Sequence, residues 1–285
     1  MYQTLVNPEQ LRVLIDDAHV AVVDCRFTLK DASYGRRAYE GGHIPGAVYA
    51  HLDEDLSSPI IAGKTGRHPL PDVDTLAGLL GSWGITEGVQ VVAYDDAGGM
   101  IAARVWWLLR WLGHESVAVL NGGWQAWCEA GGETTQQAFE TPRRATFHTR
   151  PRTDVVVHVD EVNARLDDPS FCLIDSRTLE RYRGEHEPID PVAGRIPGAR
   201  HASHEAVLGS DGKYLEPATL LAHFEGVLGD AEVSEAVFYC GSGVSAAKNL
   251  LALAHAGLGF AKLYAGSWSE WIADPTRKIA HDRKA

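Results

Sequence analysis

Short blocks of this sequence occur twice in the same order, and that repetition limits the fold more than any other feature. The apolar run Val20 to Val23, closing on Asp24-Cys25-Arg26, returns as Cys172 to Ile174, closing on Asp175-Ser176-Arg177. His43-Ile44-Pro45-Gly46-Ala47 returns as Arg195-Ile196-Pro197-Gly198-Ala199, and Val91-Val92-Ala93-Tyr94-Asp95 as Ala236-Val237-Phe238-Tyr239-Cys240. Last, Gly122-Gly123-Trp124-Gln125-Ala126-Trp127 returns as Gly266-Ser267-Trp268-Ser269-Glu270-Trp271. The spacing is far longer than the roughly 20–50 residues of a solenoid repeat, so the chain reads as a duplicated domain. Its 285 residues suffice for two domains of ordinary size. The expected division is 1–130, a linker over 131–153 rich in Gly, Thr, Gln, Pro and Arg without an apolar period, and 154–285.

Each copy mixes short β-branched runs (Val20 to Val23, Val89 to Val92, Ala236 to Tyr239) with longer helix-periodic stretches. Asn7-Pro8 is a cap and first-turn pair for a helix over Pro8 to Asp16, and Met100 to Leu112 and Val244 to Ala256 are the strongest further helices. Strands alternating with helices predict an α/β fold in which each copy is a largely parallel sheet flanked by helices, with ligands met at the carboxyl ends of strands. Asp and Glu exceed Lys and Arg by 38 to 26, and the net charge of −12 argues against nucleic-acid or anionic-membrane partners. Residues 1–10 lack the marks of a secretory signal and no run approaches about 18 apolar residues, which predicts a cytoplasmic protein. Cys25, Cys128, Cys172 and Cys240 form no C-x-x-C pair, and the thirteen histidines show no metal-ligand spacing. No metal site is expected, and the first three cysteines read as small apolar fillers.

Cys240 stands apart. Cys240-Gly241-Ser242-Gly243-Val244-Ser245 follows a strand and leads into a helix. Glycines there permit positive φ, so successive N–H groups can turn inward as an anion cradle at a helix N-terminus. That setting favours thiolate over thiol and makes Cys240 a candidate nucleophile, with Ser242 and Ser245 adding hydroxyl donors. On these residues alone, an ordinary turn around a buried cysteine also stays open.

Taken together, Asp-Cys-Arg and Asp-Ser-Arg after the first strands, Gly42-His43-Ile44-Pro45-Gly46-Ala47, Arg104-Val105-Trp106-Trp107, the Cys240 loop and Gly266 to Trp271 resemble the tandem-domain rhodanese family of thiosulfate and 3-mercaptopyruvate sulfurtransferases. The resemblance covers nearly the whole chain. It implies two rhodanese-like domains, of which the first is non-catalytic because Asp95 stands in the cysteine's place. It also implies a ping-pong mechanism in which Cys240 takes sulfur from a donor as a persulfide and passes it to an acceptor such as cyanide or a thiol. Sulfur is itself the entering and leaving group, so no cofactor is required. A thiol reductant protein such as thioredoxin is an expected acceptor.

Two donors compete. Gly241 to Ser245 carries no cation for the thiosulfate dianion, and Cys-Gly-Ser-Gly-Val resembles the mercaptopyruvate branch, with Ser245 where threonine is usual. Arg181 matches the family's first anion-binding arginine, whereas the second falls on Ile189; Arg183 or Arg195 is the expected substitute. His43 is expected to be structural, with a role in proton transfer or in the polarity of the substrate cleft as the alternative. Asp24-Arg26 and Asp175-Arg177 are expected to pair at strand ends, and Trp106, Trp107, Trp111, Trp124 and Trp127 to pack. A phosphatase reading is disfavoured because Ala246 or Ala247 stands where such loops end in arginine. A persulfide carrier that loads once and stalls is the non-enzymatic alternative.

Overall fold

The computed structural model describes residues 1–140 and 145–282; part of the expected linker, 141–144, lies outside the described residues. The chain forms two compact units: 1–58 with 71–152 and 210–214, and 59–70 with 153–209 and 215–285. Each unit therefore takes in a short stretch from the sequence of the other copy.

In the first unit the elements run β1 (Leu5–Val6), α1 (Pro8–Leu14), β2 (Val20–Asp24), α2 (Tyr34–Gly41), β3 (Val48–Tyr49), α3 (Val73–Ser82), β4 (Gln90–Tyr94), α4 (Met100–Trp111), β5 (Val117–Leu120) and α5 (Gly123–Glu129). The strands lie in the order β1-β5-β4-β2-β3, all parallel. The second unit repeats the plan with β6 (Val156–Val157), α6 (Val159–Ala164), β7 (Leu173–Asp175), α7 (Leu179–Arg183), β8 (Arg200–His201), α8 (Pro217–Leu228), β9 (Val237–Tyr239), α9 (Ser245–His255), β10 (Lys262–Tyr264) and α10 (Ser267–Trp271). Its order, β6-β10-β9-β7-β8, is again fully parallel and matches the first position for position. The central strands β4 and β9 are buried along their whole length, as a sheet covered on both faces requires.

One polar device recurs in both cores. Asp24 ends β2, and its carboxylate accepts from Arg26 Nη2 at 2.6 Å and from the Tyr94 hydroxyl at 2.6 Å. Register places Asp24 beside Tyr94, so the contact follows from strand pairing. Arg26 also reaches the Gly42 carbonyl at 2.7 Å and lies 4.4 Å over the Trp124 ring. Asp175, beside Tyr239, holds Arg177 at 2.6 Å, and Arg177 reaches the Gly194 carbonyl at 2.6 Å and lies 4.7 Å over Trp268. The strand-end pairs expected from sequence thus form, each wholly buried.

Three expectations need adjustment. α1 stops at Leu14, short of Asp16. Carboxylates oppose the negative C-terminal end of a helix, and Asp17 instead accepts the His19 N–H at 2.9 Å. The described part of the 131–153 stretch is no free spacer: Thr135 exchanges backbone bonds with His43, Arg150 and Arg152 bond to the carbonyls of Leu112 and Trp111, and Phe147 is buried. Cys128 is exposed and not a core filler, unlike Cys25 and Cys172. The tryptophans pack as expected: Trp106, Trp107 and Trp127 are buried, Trp111 stacks on Trp107, and Trp124 packs partly buried against the core beneath Arg26. Among the described residues no helix is long and apolar enough to cross a membrane.

Removing one partner of a buried pair strands the other's charge. Asp175→Ala should therefore destabilise the second unit by about 3 kcal/mol or more in denaturant unfolding. An exposed-pair control, Glu54→Ala, should stay within about 0.5 kcal/mol.

Candidate functional site

β9 delivers Cys240 to its carboxyl end, and the loop there is fastened by its own backbone. The Cys240 N–H donates to Ser267 Oγ at 3.1 Å, the Cys240 carbonyl accepts from Trp268 N at 3.0 Å, and the Gly241 carbonyl accepts from Ser269 N at 2.9 Å. Gly243 sits at φ 75°, where a side chain would be strained, and a Cβ there would lie 2.3 Å from the Ala265 carbonyl oxygen. That turn sends the Gly243 N–H back to Cys240 Sγ at 3.2 Å. Val244 precedes the first turn of α9, and Ser245 opens it.

Two groups absent from the sequence-based site meet this loop. His68 Nδ1 lies 2.8 Å from Ser242 Oγ, and both residues are buried. Arg67 reaches the loop through the neighbouring stretch, its N–H bonded to Ser269 Oγ at 3.0 Å. A Cβ on Gly241 would come within 3.1 Å of Arg67 Nη2 and 3.3 Å of Arg181 Nη2. Gly241 is thus the floor beneath two guanidinium groups, and any side chain there would press into them.

Arg181 is therefore brought to the loop. Its Nε bonds both oxygens of Glu187 at 2.9 Å, and its Nη2 meets Asp190 Oδ2 at 2.8 Å. Asp190 Oδ1 accepts from Arg67 Nη1, so one carboxylate bridges the two cations. Glu187 also accepts the N–H groups of Ile189 and Asp190 and pairs with Arg177 at 3.3 Å.

The expected stand-ins for the second arginine go elsewhere: the guanidinium atoms nearest Gly241 belong to Arg67 and Arg181, not Arg183 or Arg195. Arg183 is half-exposed beside Glu185 and Asp282, and Arg195 holds Asp282 at 2.7 Å while lying 4.4 Å over Tyr182. Ile189 is exposed and carries no charge. His43, in the first unit, is buried, stacks 3.8 Å from Tyr39, and has Nδ1 at 2.7 Å from the Tyr39 carbonyl and Nε2 at 2.9 Å from that of Gln137. Arg195 on Tyr182 repeats that arrangement, so the geometry favours the structural reading of His43.

The matching loop of the first unit contains its own anion. Asp95 is fully buried, and its carboxylate accepts N–H bonds from Ala97 and Gly99 at 2.8 Å, Ile101 at 2.7 Å and Ala102 at 2.9 Å. Burial raises the pKa of this carboxyl, and the four N–H groups offset that only in part. Such a loop cradles a negative charge at the head of a helix, and here no donor is left for a ligand at those four positions.

Arg67, His68, Ser267 and Asp190 were not legible as site residues. Arg67 and His68 belong to a stretch without apolar period, in the first copy's sequence, with no counterpart in the repeated blocks. Ser267 is the sole non-glycine residue with positive φ among the described residues, at 57°, and its place in the repeat is held by Gly123 at 60°. A serine where the other copy has glycine was the available signal. Among the described residues no group of three or more His, Cys, Asp or Glu could hold a metal ion.

His204 completes the electrostatics. Burial first, then Lys248 and Arg181, push its imidazole down from the ordinary 6.5 to about 4. Between those values the unfolded chain takes up a proton that the folded one refuses, so stability falls as pH drops through the window. His204→Gln should flatten that part of the Tm-against-pH curve; an unchanged slope would remove His204 from the acid response.

Residues 7–130 and 158–274 each match the Rhodanese-like domain family. The chain is 47% identical over 277 residues to a protein of Pseudomonas aeruginosa named as a probable 3-mercaptopyruvate sulfurtransferase, covering 97% of both. It is 30% identical to the thiosulfate sulfurtransferase of Rattus norvegicus over 99% of this chain and 97% of that one. Among solved structures, the 3-mercaptopyruvate sulfurtransferase from Leishmania major superposes with a TM-score of 0.82 at 31% identity, covering 94% of this chain and 74% of that one.

Proposed function

Because the chain belongs to the family of proteins built from rhodanese-like domains, we propose that it is a sulfurtransferase that carries sulfane sulfur on Cys240, with 3-mercaptopyruvate as the favoured donor. The observation that carries this reading is the meeting of three features in one loop: a cysteine at a helix N-terminus, an inward N–H on its sulfur, and two guanidinium groups over the adjacent glycine.

In the first half-reaction the Cys240 sulfur attacks the donor's sulfur. With 3-mercaptopyruvate the carbon–sulfur bond breaks, its electron pair leaves on carbon as the enolate of pyruvate, and the proton lost from the donor thiol is matched by one gained at that carbon. With thiosulfate the sulfur–sulfur bond breaks and sulfite leaves. Cys240 holds the persulfide in either case, and an acceptor nucleophile then attacks the outer sulfur and restores the cysteine. Arg67 and Arg181 supply a planar fork for the donor's carboxylate, and the Ser242–His68 pair offers a path for the proton. The rat relative's name keeps thiosulfate as the second candidate donor. Cyanide or a small thiol serves as acceptor, and a dithiol protein of the thioredoxin kind suits the second half-reaction. A reducing cytoplasm fits the four free cysteines. A phosphatase lacks support, since Ala246 and Ala247 are buried apolar residues of α9 where an arginine would be needed.

Cys240→Ser should abolish sulfur transfer to cyanide while leaving Tm nearly unchanged; retained turnover would overturn the assignment. Arg67→Ala should raise the donor KM about tenfold or more with a smaller change in kcat, by loss of a charge-assisted contact. Steady-state comparison of the two donors decides the substrate, and one sulfur loaded per chain without turnover would identify a carrier instead.

A further inference from the structure

Asp190 has a place in the site that anion binding by itself does not explain. Its side chain is 2% exposed and stands between Arg67 and Arg181, one oxygen on Arg67 Nη1 and the other 2.8 Å from Arg181 Nη2. Two guanidinium groups that close repel one another, and a bridging carboxylate relieves that repulsion while fixing their mutual orientation. Glu187 cannot substitute, because its oxygens are committed to Arg181 Nε, Arg177 and two backbone N–H groups.

The bridge also sets the charge of the cradle. Among the ion-paired side chains, Arg67, Arg181 and Arg177 are matched by Asp190, Glu187 and Asp175, so this linked set carries no net charge before a donor arrives; Lys248, which with Arg181 acts on His204, lies outside it. A singly charged donor leaves this linked set with one negative charge and a doubly charged donor with two, beside the sulfur that attacks it. The Asp190 carboxylate opposes the second charge more than the first, while its bridge keeps both arginines over Gly241.

We infer that Asp190 is a specificity-determining residue that selects singly charged, carboxylate-bearing sulfur donors over doubly charged ones. This deepens the sulfurtransferase reading and rests on it for its catalytic form.

The test compares Asp190→Asn, which removes the charge with little change of shape, with Asp190→Glu, which keeps the charge but shifts its position. Glu185→Gln, at an exposed carboxylate of the same segment, controls for the overall change in charge. In Asp190→Asn the ratio of kcat/KM for thiosulfate to that for 3-mercaptopyruvate should rise about tenfold or more, mainly through KM. In Asp190→Glu and Glu185→Gln it should stay within about threefold of the unaltered protein. Protection of Cys240 from alkylation by pyruvate and by sulfate supplies a readout that needs no turnover: sulfate should gain on pyruvate in Asp190→Asn alone. An unchanged ratio in Asp190→Asn, or an equal shift in Asp190→Glu, would overturn the role of the Asp190 charge. Failure of all donors to turn over, with the protection pattern intact, would count against the sulfurtransferase reading and leave the charge selection standing.

Discussion

A buried carboxylate-guanidinium pair at the end of a strand organises each unit. Asp175 is held by strand register beside Tyr239, and Arg177, two residues on, turns back to meet it. Burying such a pair is costly unless every remaining donor is used. Arg177 uses its other arms on the Gly194 carbonyl and on Glu187 and rests its face on Trp268. The strand end, the turn before β8 and the head of α10 are thereby tied to one side chain. Glu187 then positions Arg181, so the order of the candidate site descends from the core pair.

The two copies show the same loop put to different uses. In the first, Asp95 draws four backbone N–H groups onto its own oxygens, and the cradle is satisfied internally. In the second, sulfur receives one such bond, from Gly243, and Cys240 is braced from outside by Ser267 and Trp268. Ser267 holds a backbone conformation that favours glycine, and its hydroxyl is fixed both to the Cys240 N–H and to the Tyr264 carbonyl. These bonds hold the strained backbone beside Cys240.

Sequence made the fold legible where its determinants were local. The strand-end Asp-x-Arg signals and the glycines around Cys240 each act over a few residues and, with the order of the repeated blocks, they suffice to place two parallel sheets and a cysteine at the end of a strand. Arg181 was legible through family resemblance, and the structure places it over Gly241. Arg183 and Arg195 were credible by proximity in sequence, yet α7 and the chain's last described residues commit them to Asp282. Arg67 and His68 could not be read, because what brings them to Cys240 is the packing of 59–70 with the second unit, and no local pattern encodes that. Asp190 was hidden for a related reason: a bridging carboxylate has meaning only once both cations are placed.

The assignment of residues 59–70 to the second unit bears on how divisible this protein is. Gene duplication ordinarily yields modules that can be separated again, each with its complement of working parts. Here a polypeptide starting at residue 153 would keep Cys240, Ser242, Arg181 and Asp190 but lose Arg67 and His68, leaving one arm of the fork and a serine without its imidazole. The second copy's sequence thus does not by itself hold every side chain that meets at the Cys240 loop. The copy that carries Asp95 in the cysteine's place still contributes Arg67 and His68 to the loop of the other, and that dependence ties the two halves of the sequence together.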